Sequence, residues 1–358
     1  MRQIKISNCE PGMVLGKAIF NDNTVLLEAG VLLSKSYIDR LRDLGFTEVY
    51  IEDDISDGLV VQDVVNEATR QEAISFVKKT MENYSSMELI NSDEAIEIVN
   101  KILDEILTLD DIIVNLTDIK TCDSYTFAHC VNVCILSIIT GLKLKLNNEQ
   151  LKELGIGALL HDIGKLMIPT DILLKKAALS TPEYEIVKQH SILGYNIIKK
   201  LPLVSEVSAR VALEHHERFN GKGYPNGLVY DEIHLFSRIV AITDIFDALT
   251  SNRIYREKIS TNQAIEYLTV MAAPTLDSTV LNCFIEIIPP FPVGTGVILN
   301  SGEKGVVIKL NKNLPTRPVI RLVFNSDGSK KEVFNEVDLA EALNYTIINN
   351  AELIRETL

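Results

Sequence analysis

All six histidines lie between residues 129 and 234, and five of them fall in predicted helices, close to acidic residues that could share metal ions with them. His161 is followed directly by Asp162, and a second aspartate, Asp244, ends the apolar run that begins at Ile239. An aspartate in an apolar helix is costly unless it is paired or bound to a metal. Imidazole and carboxylate together suit a pair of borderline divalent ions such as iron, manganese, zinc or nickel. The five histidines are His129, His161, His190, His215 and His216.

The alternative is that these histidines are ordinary core residues, which is the more frequent outcome for a single histidine with apolar neighbours. His215 and His216 argue against it, because adjacent positions on a helix point about 100° apart and cannot both face one apolar core. Five histidines and two aspartates in such surroundings therefore favour a shared metal cluster. Cys130 and Cys134, beside His129, are alternative thiolate ligands, although small thiols are also common in cores.

The elements that would position these residues are helices. From Val60 to about Ile288 the apolar periodicity is helical throughout. Asn147 and Ser205 are candidate N-caps of the two helices predicted to contain the histidine motifs at 161 and 215–216. The stretch 220–227 contains three glycines and a proline, which predicts a loop. After this loop, we expect His234 to face solvent.

Smaller units are predicted on both sides of the helices. Residues 1–57 show period-two apolar alternation around one helical segment, which indicates a small α+β module. After a cluster of three prolines, β-branched runs separated by turn residues predict a small β module over 289–358. We therefore expect a multidomain chain in which helices at 58–118 precede an all-α domain at 119–288.

Composition and charge exclude several classes of protein. With 46% hydrophobic residues among 358, the chain is not a disordered or low-complexity protein. Its 49 acidic and 35 basic residues give a formal net charge of -14, which argues against binding to DNA, RNA or anionic membranes. No apolar run reaches the roughly 18 residues of a membrane helix, so we expect no membrane insertion. Five scattered cysteines without a Cys-x-x-Cys pair favour a cytoplasmic location.

Several motifs together resemble the HD-GYP domain of cyclic di-GMP phosphodiesterases. The resemblance covers about Cys122 to Ile288, and its motifs are specific in combination. It implies an HD-type helical catalytic domain. The motifs, in the order of the family, are His161-Asp162-Ile163-Gly164-Lys165, His190-Ser191-x-x-Gly194, His215-His216-Glu217-Arg218, Gly221-Lys222-Gly223-Tyr224-Pro225, Asp244-x-x-Asp247-Ala248-Leu249 and Asn252-Arg253-x-Tyr255-Arg256.

The resemblance assigns a role to individual residues. Asp162 would bridge two ions, with iron or manganese favoured over zinc or nickel, and Asp162 and Lys165 would be the catalytic residues. Lys165 and Arg218 would lie near the scissile phosphate, and Tyr224 would shape the lip of the substrate pocket. Arg253 and Arg256 would contact the phosphates of the dinucleotide. The implied metal ligands are His129, His161, Asp162, His190, His215, His216 and Asp244.

The expected reaction is hydrolysis of a phosphodiester bond in cyclic di-GMP by a hydroxide that bridges the two ions. Some family members have a glutamate that helps to hold a third metal where this chain has Tyr125. We therefore expect two ions, pGpG as the main product and slow conversion to GMP. Asn220 stands where the family often has aspartate.

Three alternatives stay open at this point. The chain could be a cyclic di-GMP receptor with little turnover, a phosphodiesterase for another cyclic dinucleotide such as cyclic GMP-AMP, or a general nucleotide phosphohydrolase. The near-complete ligand set argues against a pure receptor. Homodimer formation through the segment Glu94–Leu109, and signalling partners for the terminal modules, are further alternatives that the sequence leaves open.

Overall fold

The described chain forms a helical body with a small strand-containing unit at each end of the sequence. The expected all-α domain with an N-terminal α+β module and a C-terminal β module is therefore confirmed. The structure is a computed structural model, and it describes residues 1–21, 24–61, 63–83, 90–109, 125–175, 177–251, 258–312 and 314–353.

The N-terminal unit combines antiparallel strands with one helix. Its three-stranded sheet has the order β1-β5-β2, and β3 and β4 form a separate hairpin. Ser34 begins the helix, because its side chain accepts a hydrogen bond from the backbone N–H of Tyr37. The elements are β1 (Arg2–Lys5), β2 (Val14–Leu15), β3 (Ile19–Asn21), β4 (Thr24–Leu27), α1 (Lys35–Asp43) and β5 (Glu48–Glu52).

The helices that follow share one hydrophobic core, except for the short helix Thr170–Leu173, which has no buried residue. The core includes apolar side chains from α2 and α3 as well as from the helices that carry the histidines, so the apolar face of α3 is buried within the chain. The helices are α2 (Glu67–Asn83), α3 (Ser92–Leu107), α4 (Tyr125–Lys143), α5 (Asn148–Leu159), α6 (Thr170–Leu173), α7 (Thr181–Ile198), α8 (Glu206–Glu214), α9 (Leu235–Thr250), α10 (Thr261–Thr275) and α11 (Ser278–Ile287).

Helix α4 runs through the centre of this core. The segment Thr126–Lys143 is long and apolar enough to cross a membrane by length and composition, but 78% of it is buried inside the protein. Its apolar character is therefore explained by packing against neighbouring helices. The predicted boundary between residues 118 and 119, just before this helix, lies outside the described residues.

Local capping explains where the helices that carry the site begin. The side chain of Asn147 accepts from the backbone N–H of Gln150 at the start of α5, and Gln150 returns a hydrogen bond to Asn147. Ser180 and Glu183 form the same reciprocal pair at the start of α7. Ser205 begins α8, as the sequence predicts.

The C-terminal unit is a five-stranded antiparallel sheet with the order β10-β6-β7-β8-β9. Part of its core is completed by Ile55 and Leu59 from the segment after β5. Arg321 also donates hydrogen bonds to the carbonyls of Ile55 and Asp57. The strands are β6 (Gly296–Leu299), β7 (Lys304–Lys309), β8 (Val319–Phe324), β9 (Lys330–Asp338) and β10 (Ile347–Asn350).

Candidate metal centre

The structure brings all seven predicted ligands into two neighbouring groups of side chains. Within each group, one potential ligand atom from every member lies within 4.8 Å of the others. One group contains four side chains and the other contains three. Protein-bound ions typically take three or four protein ligands, so each group is large enough to hold one ion. The groups are Asp162, His190, His215 and His216, and His129, His161 and Asp244.

The ligands come from different elements, and several lie at helix ends. His129 and Asp244 lie within α4 and α9, and His190 lies within α7. The prediction that His161 and the pair at 215–216 lie inside helices is wrong, because α5 ends at Leu159 and α8 ends at Glu214. At the end of α8, the rings of the two histidines at 215 and 216 lie with their centroids 4.0 Å apart.

Hydrogen bonds to backbone carbonyls orient three of the histidine rings. The Nδ1 atoms of His161, His190 and His215 lie 2.7, 2.6 and 3.1 Å from the carbonyl oxygens of residues 158, 187 and 211. A carbonyl oxygen only accepts, so each Nδ1 carries the proton and each Nε2 keeps a lone pair. The Nε2 of His161 is buried and has no hydrogen-bond partner in the described structure. A buried lone pair without a donor is the arrangement that a metal ion would satisfy, so the residues fit the implied ions.

Asp162 lies between the two groups. Its Oδ2 is 3.5 Å from Nε2 of His161, and its Oδ1 is 3.6 Å from Nε2 of His190. The ammonium of Lys165 also donates to Oδ2. Burial alone would raise the pKa of Asp162, but the positive charge of Lys165 is the largest of the opposing effects that together hold that pKa well below its ordinary value. The carboxylate is therefore ionised, and its two oxygens face ligand atoms of both groups.

Four of the five histidines are neutral at pH 7. Burial lowers the pKa values of His161, His190 and His215, and it lowers the pKa of His216 to about 3. Neutral imidazoles can bind a metal without first losing a proton. His129 is different, because hydrogen bonds to Asp244 and Asp247 outweigh the effect of its burial and raise its pKa to about 9.

Asp247 supports a ligand of the second group. Its Oδ2 lies 2.7 Å from Nδ1 of His129, and its Oδ1 accepts from the amide of Asn132 at 2.6 Å. On the other side of the ring, Nε2 of His129 lies 3.1 Å from Asp244. Sequence reasoning missed Asn132. Its signal was a polar residue in an apolar helix, three positions after His129 and so on the same helix face.

Glu217, also missed as a functional residue, organises the glycine-rich loop. Its carboxylate accepts hydrogen bonds from the backbone N–H groups of Asn226, Gly227 and Leu228 at 2.7, 3.1 and 3.0 Å. The loop returns beneath this residue closely enough that a Cβ on Gly223 would lie 2.4 Å from the Cα of Glu217. A buried carboxylate directly after the two histidines therefore ties the loop to the metal groups.

The loop places an aromatic ring beside the metal ligands. The Tyr224 ring stacks on the His216 ring with centroids 4.7 Å apart and an interplanar angle of 28°. Tyr184 meets the same tyrosine edge to face at 6.5 Å. Arg218 lies nearby, and its guanidinium donates to the carbonyls of His215 and Glu217.

Several other residues that the sequence singles out have a local structural role or lie outside the described residues. His234 begins α9 by accepting a hydrogen bond from the N–H of Phe236, so the expectation that it simply faces solvent is wrong. Burial raises the pKa values of Cys130 and Cys134, which disfavours thiolate ligands. Asn220 accepts from the N–H of Lys222 within the loop. Arg253, Arg256 and the side chain of Tyr125 lie outside the described residues.

Comparison with known proteins agrees with this arrangement. Residues 128–280 match the HD domain family, and residues 296–354 match a KOW domain associated with the HD domain. A cyclic di-GMP phosphodiesterase of Pseudomonas aeruginosa is 33% identical over 253 residues, which cover 71% of this chain and 61% of that protein. The adjacent His161 and Asp162 and the Gly-Tyr-Pro sequence at 223–225 supply the two motifs that give the family its name. Residues 128–280 of this chain therefore form an HD domain, and its motifs are those of the HD-GYP family.

Other relatives differ in the substrate that their names give. The cyclic di-GMP phosphodiesterase response regulator RpfG of Xanthomonas campestris is 41% identical and covers 37% of this chain and 36% of its own length. The 3'3'-cGAMP-specific phosphodiesterase 1 of Vibrio cholerae is 35% identical and covers 51% of this chain and 42% of its own length. The chain thus spans between about a third and three fifths of the length of these relatives.

Proposed function

We propose that this chain hydrolyses cyclic di-GMP to pGpG at a centre of two divalent metal ions. The observation that carries the proposal is the pair of ligand groups that meet at Asp162. Each group combines neutral imidazole with carboxylate, a donor set that suits borderline divalent ions such as iron and manganese. Ions bound there would supply Lewis-acid charge and activate water for attack on a phosphodiester.

The chain's own residues would hold and orient the substrate. Lys165 fixes the position of Asp162 through their ion pair, and its ammonium adds positive charge beside both groups. Burial would lower the pKa of this lysine, but Asp162 outweighs burial and keeps the ammonium protonated. Arg218 supplies a second cation near the ligands. Tyr224 forms a wall against which a nucleobase could stack.

Cyclic GMP-AMP is the second candidate substrate, and the Vibrio cholerae relative supports it. The test is turnover of a panel of cyclic dinucleotides by metal-replete protein, with products separated by chromatography. We expect cyclic di-GMP to be consumed fastest and pGpG to accumulate. GMP formed as fast as cyclic di-GMP disappears would contradict the assignment of pGpG as the main product.

Binding without turnover would instead support the receptor alternative. The control is Asp162→Asn, which keeps the size of the side chain while removing its charge. Turnover that persists unchanged in this variant would contradict the proposed centre. We also infer a cytoplasmic location, supported by the burial of the apolar helix α4 and by the absence of disulfides among the described cysteines.

A further inference from the structure

A buried arginine that lies outside the residues matched by the HD domain contacts the hydrogen-bonded side chains that orient His129. Arg70 lies on α2, and its side chain is 6% exposed. Its Nη1 donates to Oδ1 of Asn132 on α4 at 2.6 Å. The family match begins at residue 128, so this contact joins a preceding helix to the HD domain. A guanidinium is seldom buried without a specific partner.

The donor and acceptor roles in the hydrogen bonds from Arg70 to His129 follow from the chemistry of arginine. Arginine only donates, so the atom of Asn132 that faces Arg70 must be the amide oxygen. The amide nitrogen then points to Asp247 and donates to its Oδ1 at 2.6 Å. The other oxygen of Asp247 lies 2.7 Å from Nδ1 of His129, where a carboxylate accepts the ring proton. This sequence of contacts leaves Nε2 of His129 as the metal-facing atom.

The helix that carries Arg70 is itself held in place. The carboxylate of Glu105 on α3 accepts from the backbone N–H of Asn66 at 2.6 Å and from the hydroxyl of Thr69 at 2.5 Å. It also accepts from the side-chain amide of Asn66. These contacts lie at the start of α2, one turn or less before Arg70. The position of Arg70 therefore depends on how α2 is held against α3.

We propose that Arg70 is a positioning residue for the metal group of His129, His161 and Asp244. It fixes the orientation of Asn132, which fixes Asp247, which in turn holds the ring of His129 in its ligand orientation. The inference rests on the proposed metal centre and adds a helix outside the HD domain to its support. Displacement of α2 would therefore change the affinity for one ion and leave the other group intact.

The test compares ion binding by variants of Arg70 in the full chain. Arg70→Gln has neither the charge nor the reach of arginine, and Arg70→Lys keeps the charge and one donor. The two binding steps for Mn²⁺ are measured by titration of metal-free protein, and His129→Ala identifies the step that belongs to its group. Partners that orient a metal ligand are typically worth 10–100-fold in affinity. We expect Arg70→Gln to weaken that step about 10-fold or more, with partial recovery in Arg70→Lys.

The matched control is Arg238→Gln. Arg238 lies in the same helical body and donates to the carbonyl of Ile233 and to Asp277, but touches none of the metal ligands. We expect this control to lower the melting temperature without changing either binding step. Equal affinity of Arg70→Gln and wild type for both ions, or equal loss in both steps, would overturn the inference.

Two further outcomes are distinguishable from these. If Arg70→Gln does not fold, Arg70→Lys carries the test: weakening confined to the His129 step supports the inference, and unchanged affinity for both ions contradicts it. If the wild-type protein binds no ions, the proposed function fails, and the inference fails with it for that separate reason.

Discussion

His161 and Asp162 are neighbours in the chain, yet their ligand atoms belong to different groups, with Nε2 of His161 3.5 Å from Oδ2 of Asp162. The turn that follows α5 separates the two side chains. Asp162 also lies 3.9 Å from Nε2 of His215, so its carboxylate is the point where the two groups meet. A single dipeptide therefore contributes a side chain to each of the two groups.

Loss of the Asp162 carboxylate should weaken the binding of both ions, whereas loss of a ligand that belongs to only one group should weaken the binding of one ion. We expect Asp162→Asn to reduce binding of both ions and to abolish turnover, because an amide is neutral and a poor bridging ligand. His216→Ala should weaken one ion more than the other. Metal content per chain, measured by elemental analysis after removal of free metal, checks both expectations. Equal retention of metal in the two variants would contradict the bridging position.

Metal binding should release about one proton from the histidine ligands at pH 7. Four histidines have lowered pKa values and are already neutral, whereas His129 has a pKa raised to about 9 by Asp244 and Asp247. Binding of an ion must displace the proton from that ring. Calorimetric titrations in buffers with different ionisation enthalpies count the released protons. Asp247→Asn should lower this number, because it removes one of the two carboxylates that retain the proton.

The same shift makes the metal-free protein sensitive to alkaline pH. A histidine whose folded pKa lies above its ordinary value of 6.5 stabilises the fold fully below pH 6.5, and this contribution is lost as pH rises through about 9. The stability difference between wild type and Asp247→Asn, both metal-free, should therefore shrink between pH 6.5 and 9. Thermal unfolding across this range tests the sign. A difference that grows with pH would contradict the assigned charge of His129.

Glu217→Gln should impair substrate binding more than metal binding. Three backbone N–H donors face the carboxylate, and glutamine would turn an N–H₂ donor toward at least one of them. Leaving a donor unsatisfied costs about 1–3 kcal/mol, which the loop can avoid only by moving. We expect the metal content to stay unchanged and KM to rise, by about tenfold for each 1.4 kcal/mol of substrate-binding free energy that is lost when the loop moves. Loss of metal at unchanged KM would show that Glu217 serves the ligands and not the loop.

Gly164→Ala should separate two parts of the site. A Cβ at this position would lie 1.9 Å from the carbonyl oxygen of His190, so the turn after Asp162 and α7 would have to move apart. Overpacking of this kind costs about 1–3 kcal/mol or more, and here it also displaces a ligand. Gly194→Ala is the matched control, because its Cβ would lie 3.2 Å from the nearest atom. Unfolding and metal titration of both variants should show a clearly larger loss in Gly164→Ala.

The ligand set could be predicted from the sequence because its residue types are unusual in their surroundings. Histidine and aspartate within apolar helices are costly as isolated residues, so their recurrence predicts a shared site from the sequence alone. Capping residues such as Asn147 and Ser205 likewise located helix starts, since their interactions are local in sequence. The predicted C-terminal ends of α5 and α8 are less accurate, because the histidines at 161 and 215 lie just beyond the observed ends.

The supporting residues could not be predicted because their partners are distant or lie in the backbone. Arg70 contacts a residue 62 positions away, and no local pattern distinguishes it from a surface arginine. Glu217 binds backbone N–H groups of a loop whose conformation is itself a product of folding. The roles of Arg253 and Arg256 stay predictions, because both lie outside the described residues.

The shared core of the helical body has a consequence for how this protein can be divided. A Cβ on Gly155 in α5 would lie 2.7 Å from the side chain of Val99 in α3, so the two helices are packed without spare room. A fragment that starts at residue 119 would strip α2 and α3 from the remaining helices and expose the apolar surface they cover. We expect such a fragment to aggregate when expressed alone. The helical unit that can fold by itself should therefore begin with α2, well before residue 128, where the match to the HD domain starts.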